Sequence, residues 1–492
     1  MLQRGPDGAW ILDPGIRGVT QSSGAVRPGY IFVAIRGLRY DGHAYANEAV
    51  ARGAVAVVAE RPLPLPSGVP LFQVDNGREA LAELAGAFYG NPSRKLCLVG
   101  ITGTNGKTTV AYLTEAIFRQ HRWVTGMIGT VENRIAQERM PAVLTTPEPV
   151  ELQGMLRRMV DAGVRVAAME VSSHALEMGR VKGCAFDVAV FTNLHRDHLD
   201  FHPTFLAYRE AKGRLFSEGL REGDKPSRHA VINADDHSAE YFVNRTAGRV
   251  VTYGIGNPAG VTARDLRELS WGTGFRMVTP EGECRVNLPL PGLFNVYNAL
   301  AAAAVALTQG VDLPAIVAAL EERPVIPGRY ERLLTAEGVT AVIDYAHNPD
   351  GLRSILRAVG GEVKGKVISV FGGRGERDRG KRPLMGAVAS RFADYLVLTT
   401  DSPYREDPER IAGEIAAGVR PGHRLGGYTV ILDRGQAIAA ALDLARPGDA
   451  VVITGRGHEG HQWFGERTIP FSDRETVEEI FGIKAKPSLV VS

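Results

Sequence analysis

Short, almost unbroken apolar runs recur along this chain, each closed by a polar or glycine-rich cluster and followed by a stretch of helical character. Such runs read as strands buried on both faces, and their alternation with helices predicts mostly parallel sheets. Up to about Asn91 the pattern gives strands at Tyr30–Ile35, Ala54–Val58 and Leu71–Val74, with helices at Ala44–Arg52 and Arg78–Tyr89. Asn91-Pro92-Ser93-Arg94 reads as a linker, because a residue before proline is steered away from helix. A second unit opens with the strand Leu96–Ile101 and the helical run Val110–His121, and continues with apolar runs at Val164–Glu170, Asp187–Asn193 and Ala230–Asn233. A third begins near Gly328, with strands at Thr340–Asp344, Lys366–Phe371, Tyr395–Thr399, Tyr428–Leu432 and Ala450–Thr454. There Asn348 is placed to cap a helix that has Pro349 at its first position. The expected division is 1–92, 93–327 and 328–492, all α/β, with ligands at the carboxyl ends of the strands.

Composition changes this picture little. The 492 residues are 44% apolar and 23% charged, ordinary for a folded chain with several cores. Fifty-seven Lys and Arg against 55 Asp and Glu leave a formal charge of +2, so bulk charge argues for neither nucleic-acid nor membrane binding. Cys97, Cys184 and Cys284 stand far apart, which excludes a disulfide framework or a CxxC clip and fits a reducing, cytoplasmic setting. The stretch Met1–Trp10 lacks the apolar core of a signal peptide, and the apolar run Ala299–Leu307 is too short to span a bilayer and is expected to be buried.

The strongest chemical signal is Gly100-Ile101-Thr102-Gly103-Thr104-Asn105-Gly106-Lys107-Thr108-Thr109, between a strand and a helix. Glycines there let backbone N–H groups turn toward phosphate oxygens. Lys107 supplies charge, and the Thr108 hydroxyl suits Mg²⁺. The strict GxxxxGK[ST] spacing would need glycine where Ile101 stands. Glu170, at a strand end beside that loop, is a candidate Mg²⁺ carboxylate. The segment Asn193–His202 is dense in His and Asp, which can ligate a divalent ion. It lacks the HExxH spacing of a zinc hydrolase, and His202 stands where a kinase catalytic loop would need Asn. In the third unit Gly372–Arg382, Asp401–Arg405 and Gly455–Glu459 should converge on one rim. Arginine pairs there with a carboxylate and Asp or Glu with an ammonium, as an amino acid would require, although mutual ion pairs among solvated turns would give the same composition.

These residues resemble a family. Thr102–Thr109, Glu170–Ala175, Asn193–Asp200, Asn295–Asn298, Asp344–His347 and Gly455–Glu459 follow the order of motifs in the Mur ligases of peptidoglycan synthesis, most closely the MurE type. The resemblance runs from about Gly18 to Glu475. It implies a three-domain architecture: a small N-terminal α/β domain that binds the UDP substrate, a central P-loop ATPase-like parallel-sheet domain, and a C-terminal Rossmann-like domain that binds the amino acid. It implies a monomeric enzyme using ATP and Mg²⁺ to add a diamino acid, meso-diaminopimelate or L-lysine, to UDP-N-acetylmuramoyl-L-alanyl-D-glutamate through an acyl phosphate. A paralogue with another acceptor, cyanophycin- or folylpolyglutamate-synthetase-like, is the alternative.

Roles carry over position by position. Gly103, Thr104, Asn105, Gly106, Lys107, Thr108, Thr109, Asn298, Arg329, Asp344 and His347 match nucleotide positions. Thr108, Glu170, His198 and Lys212 match the metal set, Lys212 being the lysine the family carbamylates, although alone it reads as a solvated helix residue. Ser23, Thr145, Thr146, Ser172 and Arg180 match contacts to the UDP-linked substrate. Arg377, Asp401, Ser402, Tyr404, Arg405, Gly455 and Glu459 match the amino-acid site. Four departures stand out. Ser22-Ser23-Gly24 replaces an Asp-Ser-Arg triplet, Met178 a glutamine, and Asn348 a threonine. Asp401-Ser402-Pro403-Tyr404 replaces the Asp-Asn-Pro-Arg of diaminopimelate users, with Arg405 one position later.

Overall fold

The computed structural model describes residues 2–4, 10–37, 40–269, 272–322, 325–335, 338–420 and 427–482. Most of the Met1–Trp10 stretch and the chain beyond 482 lie outside the described residues.

The first unit is a four-stranded parallel sheet in chain order: Gly18–Thr20, Tyr30–Val33, Ala54–Ala59 and Leu71–Gln73. Ala54–Ala59 is buried apart from Val55, as its apolar run predicts. The first predicted helix is shorter than its pattern. Asp41 accepts the His43 N–H and opens a 3-10 turn, Gly42–Tyr45, before the α-helix Ala46–Ala51. The second runs Gly77–Phe88, capped by Asn76, whose Oδ1 accepts the N–H groups of Arg78 and Glu79. The linker is a packed 3-10 turn, Pro92–Lys95, where the Ser93 hydroxyl accepts the Ala185 N–H at 3.1 Å.

An eleven-stranded sheet forms the centre of the molecule. Its parallel heart reads, in spatial order, Thr125–Ile128, Val166–Glu170, Cys97–Thr102, Val188–Phe191, His229–Asn233 and Arg249–Gly254. Flanks extend it: Glu132–Ile135 and Glu138–Pro141, antiparallel, on one side; on the other Val261–Leu269, parallel to Arg249–Gly254, then Gly272–Thr279 and Gly282–Leu288, antiparallel. The apolar-run rule misses these flanks because their strands alternate polar and apolar residues, as one-sided strands do. After Cys97–Thr102 the chain builds to one side, then crosses to Val188–Phe191 on the other. The switch point opens a crevice above Thr102. Beneath it, helices Lys107–Gln120 and Leu293–Thr308 pack in the core; Ala299–Ala306 of the second are fully buried. No helix among the described residues is long and apolar enough to cross a membrane.

The third unit is a six-stranded sheet ordered Glu331–Leu334, Thr340–Asp344, Ala450–Thr454, Val367–Phe371, Tyr395–Leu398 and Tyr428–Val430, parallel except for the first strand. Ala450–Thr454, last in sequence, inserts between earlier strands, so the loops after residues 371, 398 and 454 become neighbours. Asn348 caps helix Pro349–Glu362 through the Gly351 N–H at 2.8 Å.

Candidate active site

A chamber of about 820 Å³ lies where the carboxyl edges of the central and third sheets face each other. Its floor is the loop between Cys97–Thr102 and Lys107–Gln120. Ile101 belongs to the strand, so the loop proper is Gly103–Gly106. Gly103 (φ +148°) and Gly106 (φ +89°) hold backbone conformations that L side chains avoid; a Cβ would strike the Thr192 hydroxyl at the first and Asn298 Oδ1 at the second. Lys107 Nζ donates to the carbonyls of Gly103 at 3.0 Å and Thr104 at 2.9 Å. Burial lowers its pKa, against the pull of Glu170 and Asp197. Thr108 Oγ1 donates to Glu170 Oε2 at 3.0 Å and accepts from Arg329 at 3.0 Å. Thr130 holds the Glu170 carboxylate from the far side, through its N–H at 2.7 Å and its hydroxyl at 2.9 Å. Thr109, Asn298, Asp344 and His347 also line the chamber. Both Asp344 oxygens already accept a backbone N–H, from Tyr330 and Ala346, at 2.8 Å each.

Lys212 reaches this floor from below. It sits near the end of helix Phe205–Arg214, which runs into the π-helical turn Leu215–Gly219. Its Nζ donates to the Gly103 carbonyl at 2.8 Å and lies 4.6 Å over the Tyr208 ring. The solvated reading fails: the side chain is buried, and burial together with the Lys107 charge depresses its pKa well below the usual lysine range. His198 is held neutral by burial, its ring edge-on to His174 at 4.9 Å. No cluster of three or more His, Cys, Asp or Glu suited to a metal occurs among the described residues. The Thr108 hydroxyl and Glu170 carboxylate nonetheless make the oxygen pair that Mg²⁺ takes beside phosphate and water, so these residues fit that ion.

The His- and Asp-rich segment is mainly a joint to the third unit. Asp197 receives Lys381 Nζ at 3.0 Å, Asn348 Nδ2 at 3.1 Å and His347 Nε2 at 3.3 Å. Arg196 pairs with Asp378, His195 with Asp350, and Asp200 with Arg377. Asn105 and Asn348 exchange amide hydrogen bonds at 3.0 and 3.3 Å. The Asp197–Lys381 pairing spans 184 residues of sequence, which no local spacing announces.

One wall carries Thr145, Thr146, Ser172 and Arg180. Thr146 Oγ1 donates to the Glu170 carbonyl, and Arg180 donates to the Thr146 carbonyl and pairs with Glu148. Ser23 is not in the chamber. It lies past the carboxyl end of Gly18–Thr20, half-buried, its hydroxyl donating to Glu48.

At the opposite end the three loops of the third unit do converge, and they form buried ion pairs rather than solvated turns. Asp401 is buried with Arg456 Nη1 at 3.4 Å, and Ser402 accepts from the same nitrogen at 3.0 Å. The guanidiniums of Arg374, Arg456 and Arg434 hold the Asp401 carboxyl below the usual range despite its burial. Gly455 (φ +109°) runs against Asp401. Glu459 accepts from Arg374 Nη2 at 2.6 Å and from the Tyr345 hydroxyl at 3.2 Å. Of this group Arg374 and Arg377 face the chamber. Arg374 belongs to the rim loop Gly372–Arg382 expected from the sequence but not to the positions matched by family resemblance; an arginine flanked by glycines at a strand's carboxyl end is the local signal for it. Tyr404 stacks on Trp463, ring centroids 6.2 Å apart, and exposed Arg405 pairs with Glu466, away from the chamber.

Comparison with known proteins agrees with this layout. Family profiles match residues 101–306 (Mur ligase middle domain), 328–457 (Mur ligase, glutamate ligase domain) and 15–89 (Mur ligase family, catalytic domain). A UDP-N-acetylmuramoyl-L-alanyl-D-glutamate--2,6-diaminopimelate ligase of Geobacillus kaustophilus (strain HTA426) is 45% identical over 471 residues, 95% of this chain and 96% of its own. A solved structure of a ligase of that name is 34% identical with a TM-score of 0.67, covering 94% of both chains. Folylpolyglutamate synthase of Mycobacterium tuberculosis, solved with ADP and AMPPCP, is 21% identical with a TM-score of 0.62 over 77% of this chain and 92% of its own, a likeness of fold alone. Matched along nearly its whole length, with all three family profiles in order and 45% identity to a diaminopimelate ligase, the chain belongs to the Mur ligase family, in its MurE branch.

Proposed function

We propose that this chain is the ATP-dependent ligase that joins meso-diaminopimelate to UDP-N-acetylmuramoyl-L-alanyl-D-glutamate, releasing ADP and phosphate. The observation that carries the reading is one continuous chamber lined both by a phosphate-type loop and by the guanidiniums of Arg374 and Arg377, the first of them paired with Glu459. A carboxylate is a poor electrophile, so ATP first converts the substrate carboxylate to an acyl phosphate. The N-terminus of helix Lys107–Gln120 faces the phosphates. Lys107 moves from the Gly103 and Thr104 carbonyls to the terminal phosphate oxygens. Mg²⁺, when bound, neutralises charge in phosphoryl transfer, and Thr108, Glu170 and His198 would hold it. The wall of Thr145, Thr146, Ser172 and Arg180 holds the UDP-linked substrate, and Arg377, Asp401 and Glu459 the incoming amino acid. Its amine, delivered neutral, attacks the acyl carbon. The carbon–oxygen bond to phosphate breaks as the amide forms, and much of the acceleration comes from holding both reactants across one cleft.

Lys212 has a further part. Burial and the nearby Lys107 charge lower its pKa and so favour the neutral amine, the form that adds CO₂ to give a carbamate and a proton. That converts a buried cation into an anionic oxygen ligand for a second Mg²⁺. The test of the whole reading is phosphate release by purified protein. Release is expected only when ATP, the UDP-linked dipeptide and meso-diaminopimelate are present together. Release without the UDP substrate would point to another acceptor.

A further inference from the structure

The distal end of meso-diaminopimelate is an amino acid in itself, with an ammonium and a carboxylate, whereas the distal end of lysine is an ammonium alone. A site that separates them needs a cation placed for that carboxylate. In this chain the expected position holds Tyr404, which is uncharged and stacked on Trp463. Arg405 points outward to Glu466, both side chains largely exposed. Arg374 comes instead from the neighbouring loop, after strand Val367–Phe371, and lines the chamber. Its Nη2 is engaged by Glu459, and its Nε lies 3.7 Å from Asp401, an ion pair without a hydrogen bond. Among the described residues no protein acceptor meets Nη1, whose two N–H groups are left for a ligand.

We propose that Arg374 recognises the distal carboxylate of meso-diaminopimelate, with the distal ammonium lying toward the half-buried Glu459 carboxylate beside it. This rests on the ligase reading above and names the residue that sets its amino-acid specificity. The local charge supports it. Arg374 and Arg456 face Asp401 and Glu459, so the empty pocket is balanced. A zwitterionic end enters and exchanges like for like, its carboxylate replacing part of Glu459's claim on Arg374. A lysine end brings an unmatched cation beside two guanidiniums, which a site of low dielectric disfavours. Arginine, unlike lysine, can offer two parallel N–H groups to the carboxylate.

The experiment compares wild type with Arg374→Lys and Arg374→Gln, using the UDP-linked dipeptide, ATP and either meso-diaminopimelate or L-lysine. Losing a charge-assisted carboxylate contact should raise KM for meso-diaminopimelate about 30- to 100-fold in Arg374→Gln and about 10-fold in Arg374→Lys. ATP affinity by calorimetry should stay unchanged, and the preference for meso-diaminopimelate over L-lysine should fall by the same factor. A merely structural role would depress both amino acids together and leave the ratio alone. A KM within about 3-fold of wild type, or an unchanged ratio, overturns the proposal, those being less than one such contact contributes. Arg374→Lys keeps the charge beside Asp401 and Glu459, so a folding failure of the glutamine variant does not remove the test. Arg405→Ala, if it alone shifts the ratio, assigns the role to that arginine and refutes ours. Wild type that turns over neither amino acid with the UDP substrate defeats the ligase reading itself, a result separate from either outcome at Arg374.

Discussion

The two ends of the chamber are built on different plans. The phosphate-type loop is one continuous segment, Cys97–Gln120, whose strand, glycine turn and helix place Lys107 and Thr108 within a few residues of each other. The end proposed for the amino acid is assembled from three loops of the third unit and held by contacts between them, among them the ion pairs of Arg374 with Glu459 and Arg456 with Asp401 and the bond from the Gly375 N–H to the Ser402 carbonyl. A locally encoded site suits a constant ligand such as a triphosphate. A site held by contacts between loops can change its specificity by exchanging one loop's residue for another's.

That contrast can be tested by how steeply each end fails. Lys107→Ala should be the most damaging, lowering kcat at least about 10³-fold with the fold intact, because it removes charge from the transferring phosphoryl group. Steady-state phosphate release and circular dichroism check it. Lys212→Ala should cost about 10²-fold in kcat and recover partly in millimolar formate or acetate, which can replace the anionic oxygen. Full activity in that variant would remove the carbamate role. Asp197→Asn strips the counter-charge from buried Lys381 and should loosen the joint between the units, raising KM for the amino acid about 10-fold while ATP affinity holds. Small-angle scattering with all ligands should then show less compaction than wild type. Ser23→Ala should be mildest, raising KM for the UDP-linked substrate by no more than about 3-fold with kcat unchanged, since its hydroxyl stands outside the chamber and is committed to Glu48.

The same contrast explains what the sequence could and could not disclose. Buried parallel strands such as Thr340–Asp344 and Ala450–Thr454 are legible because both faces are apolar. Val261–Leu269 is not, since only alternate residues turn inward near its start. The glycine turn at 103–106 announces itself by composition, and the burial of Lys212 does not. Its neighbours Tyr208 and Gly103 become relevant only once a helix is laid beneath the loop. Likewise nothing near Asp197 in the sequence points to Lys381, and nothing near Glu459 points to Arg374.

The amide pair between Asn105 and Asn348 carries no net charge and adjoins the buried Asp197–Lys381 pair, whereas Arg196–Asp378 and Arg377–Asp200 around them are partly exposed charge pairs. Raising ionic strength weakens exposed charge pairs far more than a buried neutral one. In concentrated salt the third unit should therefore swing about the phosphate loop rather than come free of it, with the two asparagines and the buried Asp197–Lys381 pair as the pivot.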